Sequence, residues 1–169
     1  DKGEASFVYL SETKTAYVEL ASASGLMLVP EENRNIMQSS TKGTGELIKK
    51  AIDSGAKTIV LGLGGSATND CGMGLLYALG MRFLDSAGFE LKPIAANLGK
   101  VQYVVKQNFV DVSGIKFVAA CDVKNPLCGK NGAANVFARQ KGASDEDVEF
   151  LDKAVLHFAR KLNIDPELS

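Results

Sequence analysis

The chain has few residues suited to metal or redox chemistry: one histidine (His157) and three cysteines, Cys71, Cys121 and Cys128, in 169 residues. A single histidine and the lack of any CxxC pair argue against a zinc site. An odd number of cysteines without paired spacing is typical of a reducing compartment, not of a secreted disulfide scaffold. We therefore expect a cytoplasmic protein whose chemistry does not depend on thiolate or imidazole ligands.

The sequence also lacks an excess of charge and a long apolar run. Nineteen basic and twenty acidic residues give a net charge of −1, so nothing predicts a nucleic acid or an anionic membrane as partner. No apolar run approaches the roughly 20 residues that span a bilayer, and no signal peptide is visible. These absences favour a globular protein that acts on small molecules.

Glycine and hydroxyl residues are concentrated in residues 58–74. The apolar run 58–61 predicts a strand buried on both faces, and a helical pattern begins at Leu75. The glycine loop between them (residues 62–66, GLGGS) would expose backbone N–H groups at a helix N-terminus, which is a site for phosphate or carboxylate. The alternative is an ordinary turn in which Ser, Thr and Asn cap the helix.

A second polar segment, the hydroxyl cluster (residues 39–45, SSTKGTG), also precedes a helical pattern. Simple capping explains it equally well when it is taken alone. Because loops gather at the carboxyl ends of parallel strands, we expect this cluster and the glycine loop to border one pocket.

The remaining pattern predicts an α/β fold with an open, largely parallel or mixed sheet and helices on both faces. Helix 148–162 follows a capping box at Ser144, and we expect His157 and Lys141 on solvated surfaces. The predicted strands are 6–10 and 15–20, which form a hairpin, then 58–61, 81–84 and the buried strand 115–121, with weaker strands at 101–105 and 109–112.

Two aspartates are candidates for chemistry. Asp122 directly follows the predicted strand 115–121, a position common for Mg²⁺ ligands and general bases, although aspartate also forms ordinary turns. Together with Asp70 and two anion-binding loops, it suits phosphoryl transfer. No GxxxxGK[ST] sequence is present, so such a kinase would have a different architecture from P-loop enzymes.

A dinucleotide-binding oxidoreductase is the competing class. Residues 62–67 satisfy G-x-G-x-x-A after a strand, and Asp85 ends the next strand at about the expected distance. This interpretation leaves Thr68, Asn69 and Asp70 unexplained and names no residue for hydride transfer. A third class is a non-catalytic piece of a larger protein.

Five segments together resemble the glycerate kinase type 1 family, and their order and spacing agree along nearly the whole chain. The resemblance implies ATP-dependent phosphorylation of D-glycerate to a phosphoglycerate, with Mg²⁺, in a two-domain α/β enzyme, and we expect a homodimer. The segments are 19–26 (ELASASGL), 40–48 (STKGTGELI), 61–70 (LGLGGSATND), 120–127 (ACDVKNPL) and 140–143 (QKGA).

The chain departs from that family in two residues and in length. Cys71 stands where members often have glycine, and Lys124 stands where they often have aspartate. Members are much longer, and their N-terminal Ser-Phe-Lys segment and C-terminal GEG segment have no counterpart here. The resemblance therefore implies that residues 1–169 are the central portion of the enzyme, which we expect to bind ligand, with or without turnover, when alone.

The predicted site combines backbone, hydroxyl and carboxylate groups. Backbone N–H groups of the glycine loop hold an anionic group, and hydroxyls from both polar segments add donors. Asp70 and Asp122 bind Mg²⁺ or activate the glycerate hydroxyl, two roles that stay open, with Asp122 as the metal ligand. The predicted substrate- and phosphate-binding residues are Ser40, Gly43, Thr44, Gly64, Gly65, Ser66, Thr68, Asn69 and Asn125.

Overall fold

A computed structural model describes residues 4–164. Its strands are β1 (Val8–Leu10), β2 (Thr15–Glu19), β3 (Thr58–Gly62), β4 (Arg82–Leu84), β5 (Tyr103–Val105) and β6 (Lys116–Ala120). The main sheet has the order β1-β2-β3-β6, and β4 pairs with β5 in a separate two-stranded sheet. β1 and β2 form the predicted antiparallel hairpin, whereas β3 is parallel to both β2 and β6. The mixed α/β class is confirmed.

Five α-helices accompany the strands: α1 (Leu20–Ser24), α2 (Lys42–Asp53), α3 (Met73–Ala78), α4 (Ala133–Phe137) and α5 (Asp145–Lys161). Shorter 3-10 turns lie at Leu26–Leu28, Glu31–Asn33, Ile36–Gln38, Ala95–Lys100 and Arg139–Lys141. α5 starts at the predicted capping box, in which Ser144 accepts from the Asp147 N–H and the Asp147 carboxylate accepts from the Ser144 N–H. The predicted strand at 109–112 does not form, and residues there lie in loops and turns.

Two apolar cores position the functional loops. In the first, Leu47 and Ile48 of α2 pack against Val18 and Ile59 of the sheet. In the second, α5 packs on β4, and the rings of Phe83 and Phe158 meet edge to face with centroids 5.2 Å apart. The residues between β3 and β6 carry this second core, so the parallel crossover includes a small structural unit of its own.

One face of the main sheet is open in residues 4–164. β6 was expected to be buried, yet all five of its residues are exposed, including Phe117 at 46% and Val118 at 37%. Val8, Leu10 and Tyr17 are exposed as well. β6 lies at the edge of the sheet with β3 as its neighbour, and the helices that contact β2 and β3 are α2 and α1. The helix layer expected on the second face is therefore absent from the part of the chain described here.

None of the helices within residues 4–164 is long and apolar enough to cross a bilayer.

Candidate anion-binding site

The three parallel strands end at one edge of the sheet, where Glu19, Gly62 and Ala120 lie in register. The glycine loop begins there and is joined to the end of β6 by a hydrogen bond from the Leu63 N–H to the Ala120 carbonyl, 3.2 Å. Asp122 is two residues past Ala120. The structure therefore places the glycine loop and the loop of Asp122 side by side.

The glycine loop carries three amides that are not used within the protein. The N–H groups of Gly64, Gly65 and Ser66 donate to no acceptor among residues 4–164. The loop is nevertheless held firmly, because Leu26 donates to the Gly65 carbonyl at 2.8 Å and Ala67 donates to the Ser24 carbonyl at 2.9 Å. Consecutive free amides on a fixed loop form a concave site that an anion can satisfy.

Glycine is needed in this loop for two different reasons. Gly65 has a φ of +68°, in the left-handed region that residues with a side chain rarely adopt. Gly64 has an open neighbourhood: a Cβ there would meet no atom of the described residues within 4 Å. That space above the Gly64 backbone is where a ligand can approach the amides.

The helix that follows does not supply the positive end predicted from the sequence. α3 begins at Met73 and has only six residues, so residues 67–72 separate it from the glycine loop. Its first amides are already occupied, because the Gly72 and Gly74 N–H groups donate to the Asp70 carboxyl. The prediction that the glycine loop opens directly into a helix N-terminus is wrong.

Asp70 is the anion that this helix start binds. Its side chain is 1% exposed, and Oδ2 accepts from the Thr41 N–H at 2.7 Å, the Thr41 hydroxyl at 2.9 Å and the Gly74 N–H at 3.0 Å. Burial raises the pKa of Asp70, against the opposite effect of these hydrogen bonds. Because the carboxyl joins the starts of α2 and α3, its geometry favours a structural role over the predicted contact with metal or substrate.

The hydroxyl cluster is likewise used within the protein. Thr44 is fully buried, and its hydroxyl lies 2.9 Å from the Ser24 hydroxyl. The Ser40 hydroxyl donates to the Pro93 carbonyl at 2.5 Å, and Gly43 lies against α1, where an added Cβ would be 3.3 Å from the nearest atoms. Of the three predicted contacts in this cluster, only Ser40 borders a cavity of about 450 Å³. Thr44 and Gly43 therefore drop out of the site proposed below.

Behind the glycine loop, Thr68 and Asn69 lie next to a lysine. The Thr68 hydroxyl is 3.0 Å from that of Ser66, and the Thr68 carbonyl accepts from Lys141 Nζ at 2.7 Å. Asn69 Nδ2 is buried and has no partner in the described residues. Burial lowers the pKa of Lys141 to about 8, and the nearby Asp70 carboxyl acts in the opposite direction. The expectation of a surface lysine at position 141 is wrong.

Sequence reasoning missed three residues that organise this region: Arg34, Thr41 and Lys141. Thr41 precedes α2 and could have been recognised as its cap, whereas no local pattern distinguishes Arg34 from a surface arginine. His157 also differs from expectation, since it is half-buried and its Nε2 lies 2.7 Å from the Val101 carbonyl oxygen.

Asp122 is exposed at the sheet edge, and its loop is shaped by Asn125, whose Nδ2 donates to the Asn131 carbonyl at 2.9 Å. Residues 4–164 contain no group of three or more His, Cys, Asp or Glu side chains that could hold a metal ion by themselves. Mg²⁺ commonly uses one or two carboxylates together with waters and substrate phosphates. A lone Asp122 next to a phosphate-binding loop fits that donor set.

The structure does not support the dinucleotide alternative. β4 pairs with β5 and is not the neighbour of β3, so Asp85 does not end the adjacent parallel strand as that motif requires. The Asp85 carboxylate instead accepts from the N–H groups of Ala87 and Phe89 within its own turn.

Comparisons with known proteins agree with this outcome. A family model described as the glycerate kinase family matches residues 1–167. The chain is 49% identical over 152 residues to a glycerate kinase of Bacillus cereus, covering 89% of the chain and 40% of that protein. It is 42% identical over 166 residues to glycerate 2-kinase of Escherichia coli, covering 94% and 42%. The chain thus spans about two fifths of the length of these relatives.

A solved structure shares the fold. The crystal structure of glycerate kinase 2 from Salmonella typhimurium LT2 superposes with a TM-score of 0.90 at 39% identity. The superposition covers 95% of this chain and 44% of that one.

Proposed function

Because the chain belongs to the glycerate kinase family, we propose that residues 1–169 are the central portion of an enzyme that phosphorylates D-glycerate with ATP. The observation that carries this proposal is the row of three free amides at Gly64, Gly65 and Ser66 beside Asp122. Phosphoryl transfer needs donors for phosphate oxygens and a carboxylate for the accompanying cation, and both lie at this sheet edge.

The glycine loop would bind the transferred phosphoryl group. Charge is spread over the phosphoryl oxygens in the transition state, and fixed N–H groups that need no reorganisation stabilise it well. Hydrogen bonds from Leu26 and Ala67 already hold the loop in place. Ser66 is tied to Thr68 through both its hydroxyl and the Thr68 N–H, so its amide is fixed as well.

Asp122 would hold Mg²⁺ against the nucleotide phosphates. When bound, the ion neutralises phosphate charge. Asn125 keeps the loop of Asp122 in shape through its bond to Asn131. Asp70 acts at a distance, because it fixes the segment that leads from the glycine loop into α3.

The test is a coupled ADP-release assay on the full-length protein with ATP, Mg²⁺ and D-glycerate. We expect glycerate-dependent ADP release, and we expect Asp122→Asn to lower kcat about a hundredfold while the far-UV circular dichroism stays unchanged. Asp53→Asn is the matched control, because Asp53 is an exposed carboxylate that pairs only with Lys49 on α2. Near-normal kcat and Mg²⁺ dependence in Asp122→Asn would remove Asp122 from the mechanism.

We also propose a cytoplasmic location, supported by the cysteine content, and a homodimer. The dimer stays a prediction that light scattering on the full-length protein would test.

A further inference from the structure

Next to the glycine loop lies a cavity of about 240 Å³, which we call the Arg34–Lys141 cavity. Its lining includes Ala67, the residue directly after the glycine loop, together with Asn35 and Ser39. At about 30 Å³ per water this volume equals roughly eight water molecules, which suits a small organic acid better than a nucleotide.

Two cationic side chains meet at this cavity. Gly142, with a φ of +89°, lies so close to Arg34 that an added Cβ would be 2.6 Å from the Arg34 carbonyl oxygen. This close approach brings Lys141 beside Arg34, whose Nη1 donates to the Gln140 carbonyl at 3.2 Å. Lys141 Nζ donates to the Thr68 carbonyl. Both contacts are to carbonyl oxygens, which leave the two positive charges uncompensated.

No anionic group of the described residues balances these charges. Neither Arg34 nor Lys141 forms an ion pair within residues 4–164, and no carboxylate lines the cavity. Arg34 Nε is buried and has no hydrogen-bond partner in this part of the chain. Two like charges and an unused buried donor are costly in the free protein, and a bound anion would compensate both.

We propose that the Arg34–Lys141 cavity binds the carboxylate of the acceptor substrate, while the neighbouring glycine loop binds the phosphoryl group. The inference rests on the proposed function, since it assigns the acceptor's acid group to one side of that same site. An arginine Nε–H and a lysine ammonium are strong donors to a carboxylate. Ala67 links the two subsites, so one small acid can reach from the cavity toward the transferred phosphoryl group.

The first test uses Arg34→Gln and Lys141→Met in the full-length protein, with Arg160→Gln and Lys153→Met as matched controls on the exposed face of α5. Loss of one charged hydrogen bond should raise KM for D-glycerate about tenfold to a hundredfold. KM for ATP should stay within about twofold in all four variants. A rise in KM for ATP with no change for glycerate would overturn the assignment.

A neutral analogue isolates the carboxylate. Glyceramide keeps the hydroxyls of glycerate but replaces the carboxylate with an amide, so it cannot use the positive charges. The wild-type protein should prefer glycerate, and Arg34→Gln should lose most of that preference in kcat/KM. An equal loss for both compounds would show that the cavity acts on something other than the acid group.

A binding measurement separates this inference from the proposed kinase activity. D-Glycerate at 10 mM (about physiological-ligand excess) should raise the Tm of the wild-type protein, whereas glycerol should not, and the shift should vanish in Arg34→Gln. Absence of ADP release would refute the kinase and leave this readout intact. A glycerate shift that is equal in wild type and in both cavity variants, or that is missing in wild type, would refute the cavity assignment. Arg34→Lys, which keeps the charge but not Nε, should retain part of the shift.

Discussion

The hydroxyl cluster (residues 39–45) and the glycine loop (residues 62–66) have similar compositions but opposite roles. The hydroxyl cluster is closed: Thr44 is buried against Ser24, and a Cβ on Gly45 would lie 2.6 Å from the Leu75 carbonyl oxygen of α3. The glycine loop is open, with free amides and empty space above Gly64. Glycine and hydroxyl residues before a helix therefore indicate either close helix packing or ligand binding, and only the hydrogen-bond partners distinguish the two.

Asp70 explains why the first segment is closed. Its carboxyl occupies the donors at the starts of both α2 and α3, which are the groups that a bound phosphate would otherwise use. The protein thus carries its own anion at one helix junction and leaves the neighbouring loop for an external one.

The strongest test of this comparison is Asp70→Ala. Removing the carboxyl leaves the donors of Thr41, Gly72 and Gly74 buried without an acceptor, so we expect a loss of about 3–5 kcal/mol in the free energy of unfolding. Formate at high concentration should restore part of the stability by filling the vacated space. Urea denaturation measures both effects, with Asp53→Ala as the exposed control. A loss below about 1 kcal/mol would show that the junction does not depend on the carboxyl.

The matched pair Gly45→Ala and Gly64→Ala separates packing from binding. Gly45→Ala should lower the free energy of unfolding by about 1–3 kcal/mol, because its Cβ would collide with the backbone of α3. Gly64→Ala meets no protein atom and should change stability by less than about 0.5 kcal/mol.

In activity, the same pair should behave in the reverse order. Gly64→Ala should lower kcat/KM about tenfold, since the new Cβ blocks the approach to the free amides. Gly45→Ala, assayed below its melting temperature, should retain most of its activity. If the two variants showed the same ratio of activity loss to stability loss, the distinction between the segments would fail.

The pH dependence of acceptor binding sharpens the contrast on the cationic side. Burial lowers the pKa of Lys141 to about 8, so the side chain is cationic below that pH and becomes neutral above it. The charged groups near it are Arg34, which stays protonated, and the buried Asp70 carboxyl. The Kd for D-glycerate should therefore rise as pH increases from about 7 to 9.5 in wild type.

Lys141→Met should show a weaker but nearly pH-independent Kd over the same range, measured by calorimetry. A wild-type Kd that does not change across this interval would contradict a role for the Lys141 charge in binding.

The smallest expected effect concerns Cys71, at the start of the segment that Asp70 fixes. Its φ is +50°, in the region that favours glycine, and glycine is the residue that the family resemblance implies there. Cys71→Gly should change the free energy of unfolding by no more than about 1 kcal/mol, because relief of backbone strain offsets the loss of a partly buried side chain. A Tm shift of more than about 8 °C would mean that the thiol has a packing role beyond this.

Local patterns predicted the elements whose signal lies within a few residues. The hairpin of β1 and β2, the strand β3 and the capping box at Ser144 each have such a signal, and all three form. Family resemblance added the order of the polar loops, and parallel strands explain why the glycine loop and Asp122 lie at one edge.

The errors arise where long-range packing decides the outcome. Composition suggested that β6 is buried, but its exposure depends on its place at the sheet edge, which the sequence of the strand does not encode. Lys141 is half-buried because Gly142 packs against Arg34, more than a hundred residues earlier. Asp70 turned inward because two helix starts meet there, and a single segment cannot reveal such a meeting.

The open face of the main sheet has a consequence for any shortened form of the enzyme. Val8, Tyr17 and Val118 present an apolar surface, and β6 offers a strand edge with no neighbour in residues 4–164 on its outer side. Such surfaces recruit other strands, whether from the same gene product or from a second molecule. We therefore expect a polypeptide limited to these residues to clump as it is synthesised, which makes premature chain termination in this region costly to the cell beyond the missing catalysis.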